Sequence, residues 1–447
     1  MGNPRILVMG TGYVGLCTAV GFASKRYHVI ASTHDAEKAA KINDGIPPFY
    51  EPGLRELLKK NIRAGYLRCL LNQPVTAVLE TDITFIAAGT PSKPDGGIDL
   101  QHIKNSSVEI GEALAKKDTY HIVVVKSTVV PGTTQGIVRP VLEKRSKRRC
   151  GSGFGLCMNP EFLREGSAIK DTFHPDRIII GEYDKKSGDT LERLYRDYYG
   201  RRAPPIMRTN LPTAELTKYA SNAFLATKIS FINTIASICE NIPGTDVNIV
   251  ARGIGLDKRI GQLFLNAGLG YGGSCFPKDI RALIAKAKEM GYIPELLEVV
   301  EKINEAQPLK AVQFCKTLLG DVKGKRISIL GLSFKPNSDD MRDARSIPII
   351  NQLLKEGADI VAYDPAAIPN AKKIFGASIQ YSDSSIECLK KADCCILVTE
   401  WDEFKNLKPE DFKKNMRQPI LIDGRRIYSP NEFISRLKFM AVGLNQE

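Results

Sequence analysis

The chain has 447 residues, 43% of them hydrophobic, with ten cysteines and a formal net charge of +13. A single hydrophobic core does not extend over that length, so we expect two or three domains. No run reaches the roughly 18 uncharged apolar residues of a membrane span. The first residues contain no signal-peptide core, so we expect a cytoplasmic protein without a membrane segment. The cysteines and the five histidines follow no metal-ligand spacing, so we expect no metal site.

The strongly positive net charge raises nucleic acid as a ligand class. The densest basic patch, residues 144–149, contains no aromatic residue and is expected in a short connector. We therefore interpret the patch as a solvated loop and expect no nucleic-acid partner. A basic field also suits an anionic small substrate.

The first predicted element is a strand, Arg5 to Met9, followed by a glycine-rich turn and a helix, Leu16 to Ser24. Glycines at this spacing allow a tight turn, the close approach of a pyrophosphate and close packing of helix on strand. The phosphates of a dinucleotide are then expected at the helix N-terminus. We assign to this site Gly10, Gly12, Tyr13, Val14 and Gly15.

The second predicted strand, Tyr27 to Ser32, leads to the position where an acidic residue holds the adenine ribose in such folds. Thr33 and His34 occupy that position, and Asp35 follows them. We assign the ribose contact to Asp35. Because the strand tip lacks a carboxylate and Lys38 is close by, NADP stays open beside NAD as the cofactor.

Three further apolar runs predict strands, and each run ends in small or hydroxyl residues. The runs are 82–87, 121–125 and 154–158. The carboxyl ends of parallel strands face the cofactor in a doubly wound sheet. Gly89, Thr90 and Thr128 are therefore candidates to contact the dinucleotide, the two threonines at its nicotinamide half. For each threonine a helix N-cap is the alternative role.

The segment from Asn159 to Gly166 contains two carboxylates, Glu161 and Glu165, four residues apart. They share one face if the segment is helical. One of them is a candidate general base. Surface helices carry such pairs routinely, so a solvated helix face is the alternative interpretation.

The stretch from Leu211 to Glu240 has no Gly or Pro after its first two residues and predicts a long central helix. Lys218 and Asn222 are one turn apart on this helix, at the edge of an apolar face. A lysine is costly to place there unless it has a partner. Together the two side chains can donate hydrogen bonds to a developing oxyanion.

The segment from Gly268 to Asp279 is rich in glycine and leads into a helix. It brings together a thiol, a cation and a carboxylate in Cys275, Lys278 and Asp279. A nearby lysine or a helix N-terminus lowers the pKa of a thiol, and the thiolate is the nucleophile. We predict that Cys275 is a catalytic nucleophile. Filling a small apolar gap is the alternative role of a free cysteine.

The last third of the chain repeats the alternation of strands and helices, which indicates a second parallel sheet. Its predicted strands are 326–330, 360–363, 394–398 and 420–422. The first of these ends at Gly331, but the loop that follows carries Lys335 and Arg342, which suit a different phosphate-bearing ligand. Asp364, after the second strand, therefore need not hold a ribose. Arg425 adds a cation at the end of the last strand.

Taken together, these blocks resemble the nucleotide-sugar 6-dehydrogenases over nearly the whole chain. The blocks that carry the resemblance are Gly10-Thr-Gly-Tyr-Val-Gly, Tyr50-Glu-Pro-Gly-Leu, Gly89-Thr-Pro, Lys126-Ser-Thr, Asn159-Pro-Glu-Phe-Leu-Arg-Glu-Gly, the Cys275 loop and Phe334-Lys-Pro-Asn. The sequences around Cys275 and Asp339 look like the branch that oxidises UDP-glucose. GDP-mannose and UDP-N-acetylhexosamines are the alternative substrates within the family.

The resemblance implies an α/β fold with two Rossmann-like, doubly wound parallel-sheet domains joined by a long central helix. We expect an NAD-binding domain at 1–205, a central helical dimerisation region with the Cys275 loop at 206–310, and a UDP-sugar-binding domain at 311–447. The implied reaction oxidises the sugar C6 alcohol to a carboxylate with two NAD molecules, through a thiohemiacetal and a thioester on Cys275. A homodimer is also implied, in which Arg259 reaches the partner's site.

Residue roles follow from the same resemblance. The implied catalytic residues are Cys275, Lys218, Asn222, Asp279, Glu161 and Thr128. The implied UDP-sugar contacts are Phe162, Leu163, Arg164, Glu165, Lys218, Asn222, Arg259, Phe264, Leu265, Asn266, Ala267, Gly268, Gly272, Phe334, Lys335 and Arg425. Glu165, Lys278 and Arg342 are expected near the dinucleotide. A catalytically silent nucleotide-sugar sensor is the alternative to an enzyme.

Overall fold

The structure of the protein is a computed structural model that describes residues 3–445. The chain divides into two compact units, and the division falls between Ser221 and Asn222. Each unit is built on its own sheet, with helices in the connections between strands. Among the described residues, no helix is long and apolar enough to span a membrane.

The first unit is organised by one sheet. Its strands are β1 (Ile6–Met9), β2 (Val29–Thr33), β3 (Leu67–Leu71), β4 (Ile83–Ile86), β5 (Ile122–Val125), β6 (Gly155–Met158), β7 (Ile178–Glu182) and β8 (Ile206–Asn210). Within residues 3–221 they form an eight-stranded sheet in the order β3-β2-β1-β4-β5-β6-β7-β8. Neighbouring strands are parallel except β6 and β7, which are antiparallel.

Both faces of this sheet are buried. Ile6 and Val8 of β1 pack into one apolar cluster, and Leu7 and Met9 pack into another. Successive side chains of a strand point to opposite faces, so a strand covered on both sides must be apolar throughout. That requirement is the reason why the first strand could be predicted from a short apolar run.

The first unit's helices lie in the connections between these strands. They are α1 (Tyr13–Ser24), α2 (Ala36–Asn43), α3 (Leu54–Arg63), α4 (Pro74–Leu79), α5 (Gln101–Leu114), α6 (Arg139–Ser146), α7 (Ala168–Phe173) and α8 (Lys185–Tyr199). A π-helical turn, Thr134–Val138, precedes α6, and a 3-10 turn, Gly200–Arg202, follows α8. The long helix α9 (Leu211–Cys239) begins in this unit and continues into the second.

The second unit contains the other sheet. Its strands are β9 (Arg326–Leu330), β10 (Asp359–Tyr363), β11 (Gln380–Tyr381), β12 (Cys394–Leu397), β13 (Ile420–Asp423) and β14 (Lys438–Ala441). Within residues 222–445 they form a six-stranded sheet in the order β11-β10-β9-β12-β13-β14, and all neighbours are parallel. The inner strand order is therefore the same as in the first unit.

The helices of the second unit fall into two groups. Those before the sheet are α10 (Val247–Gly255), α11 (Phe276–Glu289), α12 (Glu295–Ala306) and α13 (Leu309–Leu319). Those between the strands of the sheet are α14 (Ser346–Lys355), α15 (Ile368–Phe375), α16 (Ser385–Leu389), α17 (Asp402–Lys405), α18 (Pro409–Asn415) and α19 (Pro430–Ile434).

The predicted fold class, two Rossmann-like sheets and a long helix, is confirmed. The expectation that residues 144–149 form a connector is wrong for the first half of the patch, because α6 continues to Ser146. Lys147 ends that helix with a φ of 55°, and Arg145 pairs with Glu112 at 3.3 Å. The three domain boundaries proposed from the sequence stay a prediction. Among residues 3–445, no group of three or more His, Cys, Asp or Glu side chains is arranged to hold a metal ion.

Candidate active site

Glycines shape the turn between β1 and α1. Gly10 has a φ of 104°, and a Cβ there would lie 2.4 Å from the Ala87 carbonyl oxygen, so a larger residue does not fit. A Cβ on Gly15 would lie 2.0 Å from the Gly10 carbonyl oxygen, whereas one on Gly12 would meet nothing within 4 Å. Gly12 gives α1 no side-chain cap, and the first turn holds no acidic residue. The N-terminus of α1 is therefore suited to an anion, and a dinucleotide pyrophosphate fits these residues.

The next two positions of the predicted dinucleotide motif begin α1. The ring of Tyr13 lies 4.0 Å from that of Phe49, centroid to centroid. Val14 is partly buried and packs against the apolar cluster on one face of the first sheet. Both side chains thus help to hold the start of α1 in place.

Asp35 lies just past the end of β2 and caps α2. Its carboxylate accepts a hydrogen bond of 3.0 Å from the Lys38 amide, and its other oxygen lies 3.4 Å from the Lys38 ammonium. The bond from the Lys38 amide holds the pKa of Asp35 below its usual value. Thr33, the last residue of β2, accepts a bond of 3.2 Å from the Asp35 amide. The ribose contact of Asp35 stays a prediction, since capping already engages this carboxylate.

The ends of β4 and β5 are tied together. The Thr90 hydroxyl donates a hydrogen bond of 3.0 Å to the Thr128 carbonyl oxygen, and Ser127 donates one of 2.7 Å to the Ala88 carbonyl oxygen. Neither threonine caps a helix, because the next helical segments start at Gln101 and Thr134. The alternative of an N-cap is therefore wrong for both. A Cβ on Gly89, between these contacts, would meet nothing within 4 Å.

Glu161 and Lys218 form a buried ion pair. Their side chains are 5% and 4% exposed, and the Lys218 ammonium lies 3.0 Å from a Glu161 carboxylate oxygen. The other oxygen of Glu161 accepts a bond of 2.6 Å from the Leu163 amide. The segment around Glu161 is not helical, so the condition under which Glu161 and Glu165 would share one helix face is not met. Pro160, and Gly166 with a φ of 79°, interrupt a helix at either end.

The residues that follow Glu161 make separate contacts within the first unit. The Phe162 ring is covered by the Arg177 guanidinium at 3.9 Å and by the Lys218 ammonium at 5.4 Å. Leu163 packs against an apolar cluster. Arg164 pairs with Asp171 at 2.6 Å. Glu165 is half-buried, and its predicted contact with the dinucleotide stays a prediction.

Lys126 belongs to the same buried group, although the sequence analysis assigned it no role. Its ammonium donates a hydrogen bond of 3.0 Å to the Asn159 amide oxygen, which also accepts a bond from the Tyr195 hydroxyl. Burial lowers the pKa of Lys126 to about 8, and the neighbouring Lys218 adds to the shift while Glu161 opposes it. A lysine directly after a buried strand was the available signal in the sequence.

Cys275 lies at the start of α11 in the second unit. Among the ten cysteines, all within the described residues, nine are buried and Cys275 alone is partly exposed. It occupies the N-cap position of a helix of 14 residues, where the helix dipole favours an anion. Gly270 and Gly273 of the same loop have φ values of 94° and 86°. Partial exposure of Cys275 disfavours the alternative role of filling an apolar gap, and the predicted nucleophile stays a prediction.

Asp279 connects Lys278 of the same loop with Asn222 of α9. It is buried, and its carboxylate accepts hydrogen bonds of 2.6 Å from the Lys278 ammonium and 2.7 Å from the Asn222 side-chain amide. The amide hydrogen that was predicted to face an oxyanion is thus directed at Asp279 in this structure. Asn222 is one turn beyond Lys218 on α9, but its contact lies within the second unit.

The segment 264–268 is anchored to the helices of the second unit. Leu265 and Ala267 are buried, while Asn266 is exposed and Phe264 has a φ of 65°. The Gly268 amide donates a hydrogen bond of 2.8 Å to Asn233 of α9. Helix α9 therefore anchors the main chain of this segment at Gly268.

The C-terminal sheet contacts the glycine loop that leads to Cys275 through the side chain of Arg425. The Arg425 guanidinium donates hydrogen bonds of 3.1 Å to the Gly270 carbonyl oxygen and 2.6 Å to that of Val398. Arg425 therefore supports the loop that leads to Cys275.

The loop after β9 also packs on the Cys275 loop. The Gly273 amide donates a hydrogen bond of 2.8 Å to the Arg342 carbonyl oxygen, and a Cβ on Gly273 would lie 2.6 Å from the Phe334 ring. A Cβ on Gly272 would lie 2.2 Å from a backbone oxygen of the same loop. The Arg342 side chain pairs with Asp340 at 2.6 Å. Lys335 lies 5.3 Å from the Phe334 ring.

Arg259 lies in the loop after α10 and is directed to solvent. Its side chain is 89% exposed and pairs with Asp257 at 2.6 Å. Asp257, its partner, is not among the predicted site residues. Within the first unit the predicted residues Glu161 and Lys218 contact each other, and within the second unit Asn222 and Lys278 both contact Asp279.

Comparison with known proteins gives a consistent result over the whole chain. Three models of the UDP-glucose/GDP-mannose dehydrogenase family match in order. They are its NAD binding domain at residues 4–199, its central domain at 212–306 and its UDP binding domain at 328–430.

Individual relatives resemble the chain over nearly their full length. It is 44% identical to the UDP-glucose 6-dehydrogenase AglM of Haloferax volcanii over 96% of the chain and 98% of that protein. It is 44% identical to the UDP-glucose 6-dehydrogenase TuaD of Bacillus subtilis over 96% of the chain and 90% of that protein. Among solved structures, a UDP-glucose dehydrogenase from Pyrobaculum islandicum is 36% identical, with a TM-score of 0.92 over 99% of this chain and 98% of that one.

Proposed function

This chain belongs to the UDP-glucose/GDP-mannose dehydrogenase family, and from that premise we propose that it oxidises UDP-glucose to UDP-glucuronate. The reaction converts the C6 alcohol of the sugar to a carboxylate and reduces two molecules of NAD in turn. The 44% identity to enzymes that are named for UDP-glucose supports this substrate over GDP-mannose or UDP-N-acetylhexosamines.

The observation that carries the proposal is a partly exposed cysteine at the N-terminus of α11. Cys275 caps α11, and Asp279, one turn later, accepts hydrogen bonds from Lys278 and Asn222. A thiol so placed is favoured as its nucleophilic thiolate. A silent sensor would not require this arrangement.

Cys275 supplies the covalent chemistry. Its sulfur adds to the C6 aldehyde that the first oxidation forms and gives a thiohemiacetal. Oxidation of that adduct gives a thioester. Water then displaces the sulfur, so the carbon–sulfur bond breaks and the thiol is regenerated with the carboxylate product. The covalent bond prevents release of the aldehyde between the two oxidations.

Proton transfer and charge stabilisation fall to the buried polar residues. Lys218 and Asn222 donate hydrogen bonds to the oxyanions that form at C6. Glu161 accepts a proton from the attacking water, which Asp279 and Thr128 help to orient. Lys218 and Glu161 are both buried and lie 3.0 Å apart, so each offsets part of the cost of burying the other.

NAD supplies the hydride acceptor for both oxidations when it is bound. The glycines of the β1–α1 turn and the N-terminus of α1 would hold its pyrophosphate, as their geometry fits that group. Asp35 is assigned to the ribose. NADP is the alternative that Thr33 leaves open.

The substrate is assigned to three segments of the chain. We assign the UDP-sugar to residues 162–165, to residues 264–268 and to the loop that carries Lys335. The strongest support is the anchoring of the Gly268 amide on α9 and of the neighbouring glycine loop by Arg425. A rigid main chain of this kind is what a site for a polar ligand requires.

We also assign a homodimer, on the strength of an apolar stripe on α9. Phe224, Phe231 and Ile238 are spaced seven residues apart and are 67%, 51% and 50% exposed. Residues at that spacing share one helix face, and a stripe of exposed aromatic and aliphatic side chains marks a subunit interface. Arg259, in the loop after α10, is the residue assigned to the partner's site.

Mixing inactive subunits tests that assignment. Arg259→Ala and Cys275→Ser are each expected to abolish turnover. If Arg259 acts in the partner's site, heterodimers of the two variants regain one intact site, and a mixture recovers about a quarter of the parent activity. Phe231→Glu is expected to give monomers by light scattering. No recovery on mixing would place Arg259 in its own subunit's site or in none.

The free state of the ten thiols supports a reducing compartment, so we assign the protein to the cytoplasm. Extracellular proteins of this cysteine content form disulfides. Mass measurement of the alkylated protein, purified without reductant, tests this: ten alkylated thiols are expected, and a disulfide would contradict the assignment.

A matrix of donors and cofactors tests the proposed activity. UDP-glucose, GDP-mannose and UDP-N-acetylglucosamine are each offered with NAD and with NADP. We expect turnover with UDP-glucose and NAD and two NADH formed per UDP-glucuronate. One NADH per sugar would identify a two-electron dehydrogenase, and no turnover with any donor would favour the sensor.

A further inference from the structure

Glu215 is a buried carboxylate that the proposed chemistry does not use. It lies on α9 three residues before Lys218, and its exposed fraction is 0%. Residues three apart share one face of a helix. The first two turns of α9 therefore place a buried carboxylate, Glu215, and a buried ammonium, Lys218, on the same face of the helix.

The partners of Glu215 are main-chain amides of the segment that follows β5. One carboxylate oxygen accepts a hydrogen bond of 2.6 Å from the Gly132 amide, and the other accepts one of 2.7 Å from the Thr134 amide. These amides lie where the π-helical turn 134–138 begins. A carboxylate at a helix N-terminus satisfies amides that have no partner within the helix.

A buried carboxylate is costly to place. Burial raises the pKa of Glu215 to about 6, even though hydrogen bonds from the amides of the turn oppose the shift. A neutral Ser or Asn would satisfy such amides at lower cost when capping is the only requirement. The cost of burying Glu215 therefore indicates a role beyond capping, in the segment that its carboxylate holds.

The held segment is the strand-end loop 126–134, which contains Thr128. Its first half is fixed by the Thr90 bond to the Thr128 carbonyl oxygen and by the Ser127 bond to Ala88. Its second half is fixed by Glu215. Val129, between these anchors, is fully buried, so Thr128 is held from both sides.

We propose that Glu215 is a positioning residue for the reaction: it fixes loop 126–134, and with it Thr128, to the same turn of α9 that holds Glu161 through Lys218. One helix face thus sets the ends of two neighbouring strands, β5 through Glu215 and β6 through Lys218. The proposal rests on the function proposed above, because it assigns Glu215 a role in that site.

Two variants and one control separate positioning from capping alone. Glu215→Gln has the same shape and keeps one acceptor oxygen, whereas Glu215→Ala removes both. Asp184→Asn is the control, because Asp184 caps α8 through the Ser187 amide at 3.0 Å and contacts neither strand-end loop. Hydrogen exchange of the peptide 126–138 and steady-state kinetics with UDP-glucose and NAD are measured for each.

We expect exchange in peptide 126–138 to accelerate by about tenfold in Glu215→Ala and by less in Glu215→Gln, since each lost bond exposes an amide. kcat is expected to fall by about tenfold in Glu215→Ala, with partial rescue in Glu215→Gln, while the KM for UDP-glucose stays within about twofold. Asp184→Asn is expected to change neither quantity.

Unchanged exchange in Glu215→Gln would overturn the tie to the loop, and this readout remains if Glu215→Ala does not fold. A loosened loop with unchanged kcat would overturn the positioning role and leave the proposed function standing. A parent protein that does not turn over UDP-glucose would overturn the proposed function, and hydrogen exchange would still decide whether Glu215 holds the loop.

Discussion

The two sheets share an inner strand order, yet the turns after their first strands differ. Both strands are followed by a glycine of positive φ, 104° at Gly10 and 96° at Gly331. A Cβ on either glycine would lie 2.4 Å from the segment that follows the neighbouring strand, β4 or β12. After Gly10 the chain enters α1 at Tyr13, whereas after Gly331 it runs irregularly until α14 starts at Ser346.

The acidic residues after the second strands also differ. Asp35 is exposed and caps the next helix. Asp364 is 1% exposed, and one of its oxygens accepts bonds from the Leu332 and Ser333 amides at 2.8 and 3.0 Å. Trp401 donates to the same oxygen at 3.1 Å. The close approach of the segment after the neighbouring strand requires a glycine after the first strand in both units. In the second unit the Asp364 carboxylate holds the turn that follows, whereas in the first unit the turn leads to a helix N-terminus that can bind a ligand.

The largest effect is expected from breaking the Asp364 contacts. In Asp364→Asn an amide NH2 replaces an acceptor among the amides of residues 332, 333, 366 and 367. Buried donors then lose their partner, so we expect a loss of about 3 kcal/mol in the free energy of unfolding. The matched variant Asp35→Asn keeps a good cap and is expected to cost less than about 1 kcal/mol. Denaturant titration measures the free energy of unfolding of both variants. Equal losses would show that the two carboxylates contribute alike to stability and would contradict the difference between the two turns.

The amino-terminal ends of the strands differ between the two sheets, and in the first unit a buried histidine there predicts acid sensitivity. In the first unit His121 is fully buried, with its ring nitrogens 2.8 Å from the Thr84 hydroxyl and 3.0 Å from the Thr81 carbonyl oxygen. Burial lowers the pKa of His121 to about 3, and the Lys117 charge adds to the shift. In the second unit the residue before β12 is a carboxylate, and this residue, Asp393, pairs with Arg417 at 3.0 Å.

The sign follows from where the proton binds. The unfolded chain binds a proton on His121 below pH about 6.5, whereas the folded chain does so only near pH 3. Stability is therefore lost as the pH falls from 6.5 toward 3, by about 2 kcal/mol at pH 5. His121→Gln is expected to reduce the slope of unfolding free energy against pH in this window, and the exposed control His28→Gln is not. An unchanged slope in His121→Gln would assign the acid sensitivity to other groups.

Gly12 tests whether the turn of the first unit binds the pyrophosphate. A Cβ there meets nothing within 4 Å, so Gly12→Ala is expected to fold with the parent's melting temperature. The methyl group would occupy the space assigned to the pyrophosphate, and we expect the KM for NAD to rise by about tenfold. Gly136→Ala, which also has no neighbour within 4 Å, is the control for NAD binding. An unchanged KM in Gly12→Ala would remove the pyrophosphate from this turn.

Much of this arrangement was predictable because it is local in sequence. The buried strands are continuous apolar runs, and the turn at Gly10 and the loop at Cys275 are dense in glycine. Lys126, Glu215 and the inward direction of Asp364 were not predicted. Each depends on partners at least 30 residues away, and no local pattern reports such contacts. The antiparallel pairing of β6 and β7 was not predicted either, because β7 was not among the predicted strands.

The smallest effect is expected at Thr33, which occupies the strand tip where an acidic residue holds the ribose in such folds. Thr33 ends β2 and is partly exposed, and its hydroxyl oxygen accepts a hydrogen bond from the Asp35 amide. In Thr33→Asp a carboxylate at the strand tip can accept both ribose hydroxyls of NAD, so we expect the KM for NAD to fall by about threefold. The same charge repels a 2′-phosphate, and the KM for NADP is expected to rise. Thr33→Asn, which has the shape without the charge, controls for packing. If the KM for NAD is unchanged in Thr33→Asp, the strand tip does not face the ribose. The position of Asp35 close to that tip would then no longer support its assignment to the ribose.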